Sequence, residues 1–279
     1  MTEQLLDIRL GIIGGGVMGD VLARSVTETA LFAPAEVCVL DHNPDKLARL
    51  AGDTGVCTTS DPADLSAANI LVLAVKPDNV SDILKRISEH AFHPEAVLIS
   101  IVAGVPLDSL AALLPPDMAV IRVMTNTPCL VRSGMSVLAP NAHVSEHQLQ
   151  QSRAIFDAVG ESLILPEKYL DAVTGLSGSG PGFFFLIVDA MIEAGVLQGL
   201  PRATARQLVL QTLLGSARLM LESNGHPAQL RDMVTSPGGT TIAGIQVMEE
   251  YKIRATLLKT VETATRRSRE LGQKSEKQT

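Results

Sequence analysis

The sequence is poor in cysteine, carries no cluster of lysine and arginine, and has no uninterrupted apolar run of about 18 residues, the length a membrane-spanning helix needs. The longest candidate, Phe183 to Leu197, is interrupted by Asp189 and Glu193, so no membrane span is expected. The opening MTEQLLDIRL is acidic, with neither a basic leader nor a small-residue cleavage site, so no signal peptide is read there. Cys38, Cys57 and Cys129 are odd in number and lack metal spacing, which suits plain buried thiols in a reducing cytoplasm. A net charge of −7 without a basic patch argues against nucleic acid, though a local anion pocket is compatible with it. HVSEH sets His143, Glu146 and His147 at a zinc-like spacing. Its surroundings are polar, Ser145 reads as a helix cap and no further ligands gather, so no metal is expected.

What is present falls into two rhythms. In the first half, short apolar runs read as strands: LGIIG (Leu10 to Gly14), EVCVLD (Glu36 to Asp41), NILVLAV (Asn69 to Val75), AVLISIV (Ala96 to Val102) and AVIRVM (Ala119 to Met124). Helical patterns lie between them, and weaker strands near Ser136 to Leu138 and Leu163 to Leu165 flank a helix near Ser145 to Val159. Strands that are apolar throughout predict a parallel, doubly wound α/β sheet covered on both faces. After Pro166 the strand pattern stops and the chain reads as all-α. GPGFFFLIVDAMIEAGVLQG has almost no polar face, so it predicts a helix buried all round. A dimer interface built from this half is expected, with burial inside one chain as the alternative. The polar end QKSEKQT is expected to fray.

RLGIIGGGVMGDVL places Gly14, Gly16 and Gly19 in G-x-G-x-x-G spacing between a strand and a helix. The first glycine makes the turn, the second admits a pyrophosphate, and the third lets helix and strand pack closely. Asp41 ends the second run, where an acid can bind a ribose 2′-hydroxyl and favour NAD; an ordinary turn aspartate fits equally, and His42, Lys46 and Arg49 can offset its charge. Ligands of such sheets bind beyond the carboxyl ends of the strands. Lys76 and Pro77, Ala103 and Gly104, and Thr125 to Thr127 stand at three such ends. Late in the chain, SPGGTT precedes a helical pattern. Consecutive backbone amides over Gly238, Gly239, Thr240 and Thr241 suit a carboxylate, and Ser236 and Thr241 add hydroxyls; a Ser/Thr-capped helix after a Pro-Gly turn is the plainer alternative.

LRDMVTSPGGTTIAGIQVMEE closely resembles the signature of pyrroline-5-carboxylate reductases, and GIIGGGVMG, LAVKP, MTNTP, GLSGSGP, GLPR and HPAQLRDMV agree in order across nearly the whole chain. The resemblance implies a Rossmann domain over residues 1–166 and a helical dimerisation and substrate domain over 167–279. It implies reduction of 1-pyrroline-5-carboxylate to L-proline with NADPH or NADH, in a homodimer formed through the C-terminal helices, with a decamer as a further assembly. Position by position, Thr241 resembles the hydroxyl that bonds the ring nitrogen. Ser236, Gly239 and Thr240 resemble the carboxylate cradle, to which the run of backbone amides adds Gly238. Ile13, Gly14, Gly15, Gly16, Val17 and Met18 resemble cofactor contacts, as do Ala74, Val75, Lys76 and Pro77; Gly19, Asp41, Asp61, Ala103, Gly104 and Asn126 are expected beside the cofactor from the glycine spacing and the strand ends. Asp61 stands where members often have Asn, which with Asp41 weighs against strong NADP preference. GPGFFF replaces the usual GPAYxF, so Gly182 and Phe183 change local packing and remove a phenol. A reductase of a related cyclic imine acid and a dinucleotide-sensing regulatory protein remain as rivals. A β-hydroxyacid dehydrogenase would need a lysine base that Ser179 to Gln198 lacks.

Overall fold

The structure, a computed structural model, describes residues 9–90 and 92–276. Most of the N-terminal stretch read for a leader, residues 1–8, and the last three residues of the polar end lie outside the described residues. The strands are β1 (Leu10–Ile13), β2 (Val37–Leu40), β3 (Cys57–Thr59), β4 (Ile70–Leu73), β5 (Val97–Ser100), β6 (Ala119–Met124), β7 (Gly134–Pro140) and β8 (Gly160–Ile164). They form one sheet in the order β3-β2-β1-β4-β5-β6-β7-β8. Helices α1 (Val17–Glu28), α2 (Pro44–Thr54), α3 (Val80–Ser88), α4 (Leu107–Ala111) and α5 (Glu146–Asp157) alternate with them.

β1, β2, β4 and β5 are buried at every position. Because side chains alternate across a strand, Leu10, Ile12, Val37, Val39, Ile70 and Val72 fall into one core, with Phe156 of α5. Ile13, Cys38, Leu40, Leu71 and Leu73 fall into the other, with Leu84 of α3. The order reverses beside β1, which pairs with β2 on one side and β4 on the other, and a crevice opens at such a switch point. Two expectations are corrected. β3 was not read as a strand; its CTT is half-buried throughout and carries no apolar run. The sheet is mixed, because β7 runs antiparallel to β6, with Val123 opposite Leu138.

The chain forms two compact units. The second is Gly180–Thr263; the first holds the sheet, continues to Ser179 and resumes at Ala264. The sequence boundary at 166/167 thus differs from the unit boundary. Contacts of residues 167–179 explain this. Glu167 Oε1 accepts from Leu107 N at 2.8 Å and from Arg122 Nη1 at 2.9 Å. In α6 (Leu170–Val173), Leu170 is buried with Val137 and Ala139 of β7. Asp171 Oδ1 accepts from Ser268 Oγ at 2.7 Å, which brings the far end of the last helix into this unit.

The second unit holds α7 (Gly180–Leu197), α8 (Arg202–Ser223), α9 (Pro227–Met233), α10 (Thr240–Glu250) and the start of α11 (Ile253–Glu276). No strand follows residue 166 among the described residues. α11 runs past Gly272 to Glu276, so part of the segment expected to fray is helical. Burial of α7 inside one chain, the alternative to a dimer interface, is not what the chain forms. Phe185 is 67 % exposed and Leu186 72 %. Within the unit α7 has close support from α8, where a Cβ on Gly195 would stand 2.9 Å from that of Ala205. Ala205 is the one buried apolar side chain of this unit among the described residues. By length and composition the helical run Glu167–Leu197 is also apolar enough to cross a membrane, since Asp189 and Glu193 alone do not offset its aliphatic content.

Candidate functional site

β1 ends at Ile13 and α1 begins at Val17, so three glycines make the turn. Gly14 adopts φ +110°, and a Cβ there would stand 2.6 Å from Ala74 O. A Cβ on Gly19 would collide with the carbonyl oxygen of Gly14, so helix and turn touch only because Gly19 lacks a side chain. Gly16 is different. Its backbone is extended, and apart from its two chain neighbours no protein atom lies within 4 Å of where its Cβ would stand. Packing does not require glycine at 16, and the open space there is free for the close approach of a ligand. No side chain caps α1, so its first N–H groups and the positive end of its dipole are left for an anion. These residues therefore fit a dinucleotide pyrophosphate. Ile13 and Gly19 are buried, while Val17 is 67 % exposed.

Asp41 lies at the end of β2 with its side chain only 7 % exposed. Its Oδ2 accepts from Gly15 N at 2.8 Å, and its Oδ1 accepts from Asn43 N at 2.9 Å. The carboxylate thus braces the glycine turn, and both oxygens already hold backbone donors. Asn43 in turn caps α2 by accepting from Asp45 N and Lys46 N. Arg49 approaches Asp20 at 3.9 Å. Asp61 is exposed and caps the short turn at Pro62 by accepting from Ala63 N at 3.0 Å.

A cleft of 570 Å³ opens at the switch point. Ile13, Gly14, Gly16 and Asp41 line it together with Ala74, Val75 and Lys76, so the structure gathers these sequence-predicted residues in one place. His42 and Lys46 also line it, as do Ser60, Asn79, Asp82, Ile83 and Arg86, the last five being residues the sequence reading missed. Ile83 and Arg86 follow Asn79 at helical spacing, a signal that an extension of the strand-end argument into α3 finds.

Ala103, Gly104 and Asn126 do not line this cleft. Gly104 adopts φ +75°, and a Cβ there would stand 3.6 Å from Leu271 Cβ of α11. Asn126 joins three segments: its Nδ2 donates to Ser177 O at 3.2 Å, and its Oδ1 accepts from Met135 N at 2.9 Å. Ser177 lies in a π-helical turn, Thr174–Gly178, where a Cβ on Gly178 would collide with the Met124 side chain. GLSGSGP thus lies against the end of β6, held there by the Asn126–Ser177 bond. Ser145 caps α5 as expected, its Oγ accepting from Gln148 N at 3.2 Å.

In the second unit, SPGGTT forms the turn between α9 and α10. Gly239 N donates to Ser236 O at 3.0 Å. Gly238 adopts φ +65°, a conformation that favours glycine. A Cβ on Gly239 would collide with Ser236 Oγ. α10 starts at Thr240 with no side-chain cap, so the plainer alternative of a Ser/Thr-capped helix is not what the turn forms. Ser236, Gly238 and Thr240 are exposed and Thr241 is half-buried. The turn thus presents uncapped amides and hydroxyls together, a donor set suited to an anion.

Comparison with known proteins bears on both units. A family model described as "Pyrroline-5-carboxylate reductase dimerisation" matches residues 167–271. One described as "NADP oxidoreductase coenzyme F420-dependent" matches residues 9–104. The pyrroline-5-carboxylate reductase of Synechocystis is 44 % identical over 96 % of this chain and 100 % of its own. That of Escherichia coli is 35 % identical over 96 % and 99 %. Among solved structures, a pyrroline-5-carboxylate reductase from Coxiella burnetii superposes with a TM-score of 0.90 at 34 % identity, covering 95 % of this chain and 98 % of that one. The Plasmodium falciparum pyrroline carboxylate reductase with NADP bound gives 0.85 at 30 %, covering 96 % and 99 %. With relatives this similar along almost its full length, the chain belongs to the pyrroline-5-carboxylate reductase family.

Proposed function

We propose that this chain reduces the carbon–nitrogen double bond of 1-pyrroline-5-carboxylate to give L-proline, the last step of proline biosynthesis, using NADPH or NADH. The observation that carries the reading is the uncapped start of α10 behind Gly238 and Gly239, a cradle of backbone amides for a small carboxylate.

Gly14 to Gly19 hold the pyrophosphate of the dinucleotide through the turn and the first amides of α1. Ala74, Val75, Lys76 and Pro77 continue that wall, and Ala103, Gly104 and Asn126 shape the strand ends beyond it. The reduced nicotinamide supplies hydride when bound. Ser236, Gly238 and Thr240 grip the substrate carboxylate, each charge-assisted hydrogen bond contributing about 1.5–3 kcal/mol, while Gly239, whose N–H is held by Ser236 O, keeps the cradle free of a side chain. Thr241 offers its hydroxyl to the ring nitrogen and fixes the ring in a near-attack orientation. An aliphatic hydroxyl is a poor acid, so water is the proton source. Each oxygen of Asp41 gives one acceptor position to Gly15 or Asn43, and Lys46, Lys76 and Arg86 give the cleft cations that offset its charge toward a ribose 2′-phosphate. The exposed apolar face of α7 is covered by a second copy in a homodimer, supported by the dimerisation family that matches this half.

The test is oxidation of NADPH and NADH by the purified protein with pyrroline-5-carboxylate, with proline detected by chromatography. Dinucleotide binding without oxidation would assign a regulatory role. Turnover confined to other ring sizes would assign a related imine reductase.

A further inference from the structure

β2 and β3 pair in parallel with Cys38 directly opposite Cys57. Their Sγ atoms lie 3.0 Å apart, and both thiols are free. Neighbouring strands sit about 4.8 Å apart, within the Cα range a disulfide accepts, and the sulfurs need to close by only about 1 Å to reach bonding distance. β3 is a short outer strand paired on one side, so it yields more readily than a central strand. Cys38 is buried and Cys57 half-buried. Burial, reinforced by the contact with Cys57, pushes the Cys38 thiol up from its ordinary pKa. Cys57 is therefore the sulfur that meets an external oxidant, and Cys38 the one that resolves it.

We propose that Cys38 and Cys57 close into a reversible intrachain disulfide on reaction with a hydroperoxide, and that closure weakens dinucleotide binding in the adjoining cleft. The Cys57 thiolate attacks the terminal peroxide oxygen. The O–O bond breaks, the departing alkoxide takes a proton to leave as alcohol, and Cys57 becomes a sulfenic acid. The Cys38 sulfur then attacks the Cys57 sulfur. The S–S bond forms as the S–O bond breaks, and the hydroxide leaves as water with the Cys38 proton. Two thiols are oxidised by two electrons and one peroxide is reduced. Thiol reduction of the disulfide restores the pair.

The link to the cleft is short. Asp41 N donates to Thr59 O at 3.1 Å at the end of the β2–β3 pairing. The Asp41 carboxylate braces Gly15 N, and Ser60, next after β3, lines the cleft. Drawing β3 toward β2 at Cys57 shifts this brace. The second half of the proposal rests on the dinucleotide reading of the cleft; the first half does not.

The experiment treats reduced full-length protein with hydrogen peroxide and follows intact mass, disulfide-mapped peptides and NADPH binding by fluorescence titration. The wild type is expected to lose two hydrogens and join the Cys38 and Cys57 peptides. Its dissociation constant for NADPH should rise about tenfold, as expected if about one hydrogen bond at the glycine turn is lost, and return with dithiothreitol. Cys57→Ser and Cys38→Ser should each form no cross-link and keep their affinity under peroxide. Thiols that stay reduced, or a Cys57 that over-oxidises without cross-linking, would overturn the disulfide. A cross-link that leaves NADPH affinity unchanged would overturn the coupling. Reduced protein that does not bind NADPH would refute the dinucleotide reading and the coupling with it, leaving the disulfide to be judged by the mass.

Discussion

Gly16→Ala separates binding from folding more sharply than any other substitution in the glycine turn. Apart from its chain neighbours no protein atom lies within 4 Å of a Cβ at 16, and the backbone there, at φ −72°, is open to any residue. Alanine is a poorer helix cap than glycine, which costs about 1 kcal/mol at most and lowers Tm by about 2–4 °C in a protein of this size. The dinucleotide feels the methyl group differently. If its phosphate approaches over Gly16, the methyl holds it off the first amides of α1. Losing one charge-assisted hydrogen bond of about 1.5–3 kcal/mol weakens binding about ten- to hundredfold. Gly19→Ala is the control, because its Cβ collides with the Gly14 carbonyl; overpacking of that kind costs about 1–3 kcal/mol and shows in the melt. Fluorescence titration with NADPH and thermal unfolding read the two effects separately. An affinity within twofold of wild type in a well-folded Gly16→Ala variant would show that no ligand passes over Gly16.

The other predictions address the remaining parts of the site. Thr241→Ala should lower turnover about 10²-fold, with Thr241→Ser retaining most of it, because the hydroxyl and not the methyl carries the role; steady-state kinetics decides, and wild-type turnover in the alanine variant removes Thr241 from the chemistry. Asp41→Ala strands the N–H groups of Gly15 and Asn43, so it should cost about 1–3 kcal/mol of stability and raise KM for the dinucleotide, measured by denaturant unfolding and kinetics. Leu186→Glu places a charge on the exposed apolar face of α7 and should convert a dimer to monomer in light scattering; an unchanged mass would move the interface elsewhere.

The sheet was legible where burial alone dictates residue type. LGII, VCVL, ILVL and VLIS are apolar at every position because cores lie on both faces, and that pattern survives in one dimension. β3 escaped because an outer strand with half-buried CTT needs no such pattern. The reversed direction of β7 escaped because pairing direction leaves no mark on composition. The glycine turn was legible by spacing, yet the sequence could not assign a reason to each glycine. Gly19 answers to Gly14, whereas Gly16 answers to no protein atom. Asp41 was ambiguous for the same reason. Its second role, holding Gly15 N, joins positions 26 residues apart and appears only once β1 and β2 are side by side. The pairing of Cys38 with Cys57 is another fact of register, which an odd cysteine count concealed.

The second unit shows how a requirement can be legible while its fulfilment is not. The all-round apolar character of α7 signalled that it needs cover, and the sequence could not say from where. Within the chain that cover is slight, since Ala205 is the unit's one buried apolar side chain among the described residues. A bundle without a core of its own does not persist on helix propensity, because the entropy of ordering its residues has no buried surface to offset it. The same length and composition would let the run enter a bilayer. The two solvents leave different marks on substitution. Glu193 is bound to Arg202 at 2.7 Å and Asp189 lies on the same helix, so α7 already carries two carboxylates. Charges cost about 2.5–3.5 kcal/mol each at the centre of a membrane, whereas a protein interface holds them at its polar rim with partners. Of the two, the proposed dimer surface is the environment that would accommodate both acids along with Phe185 and Leu186.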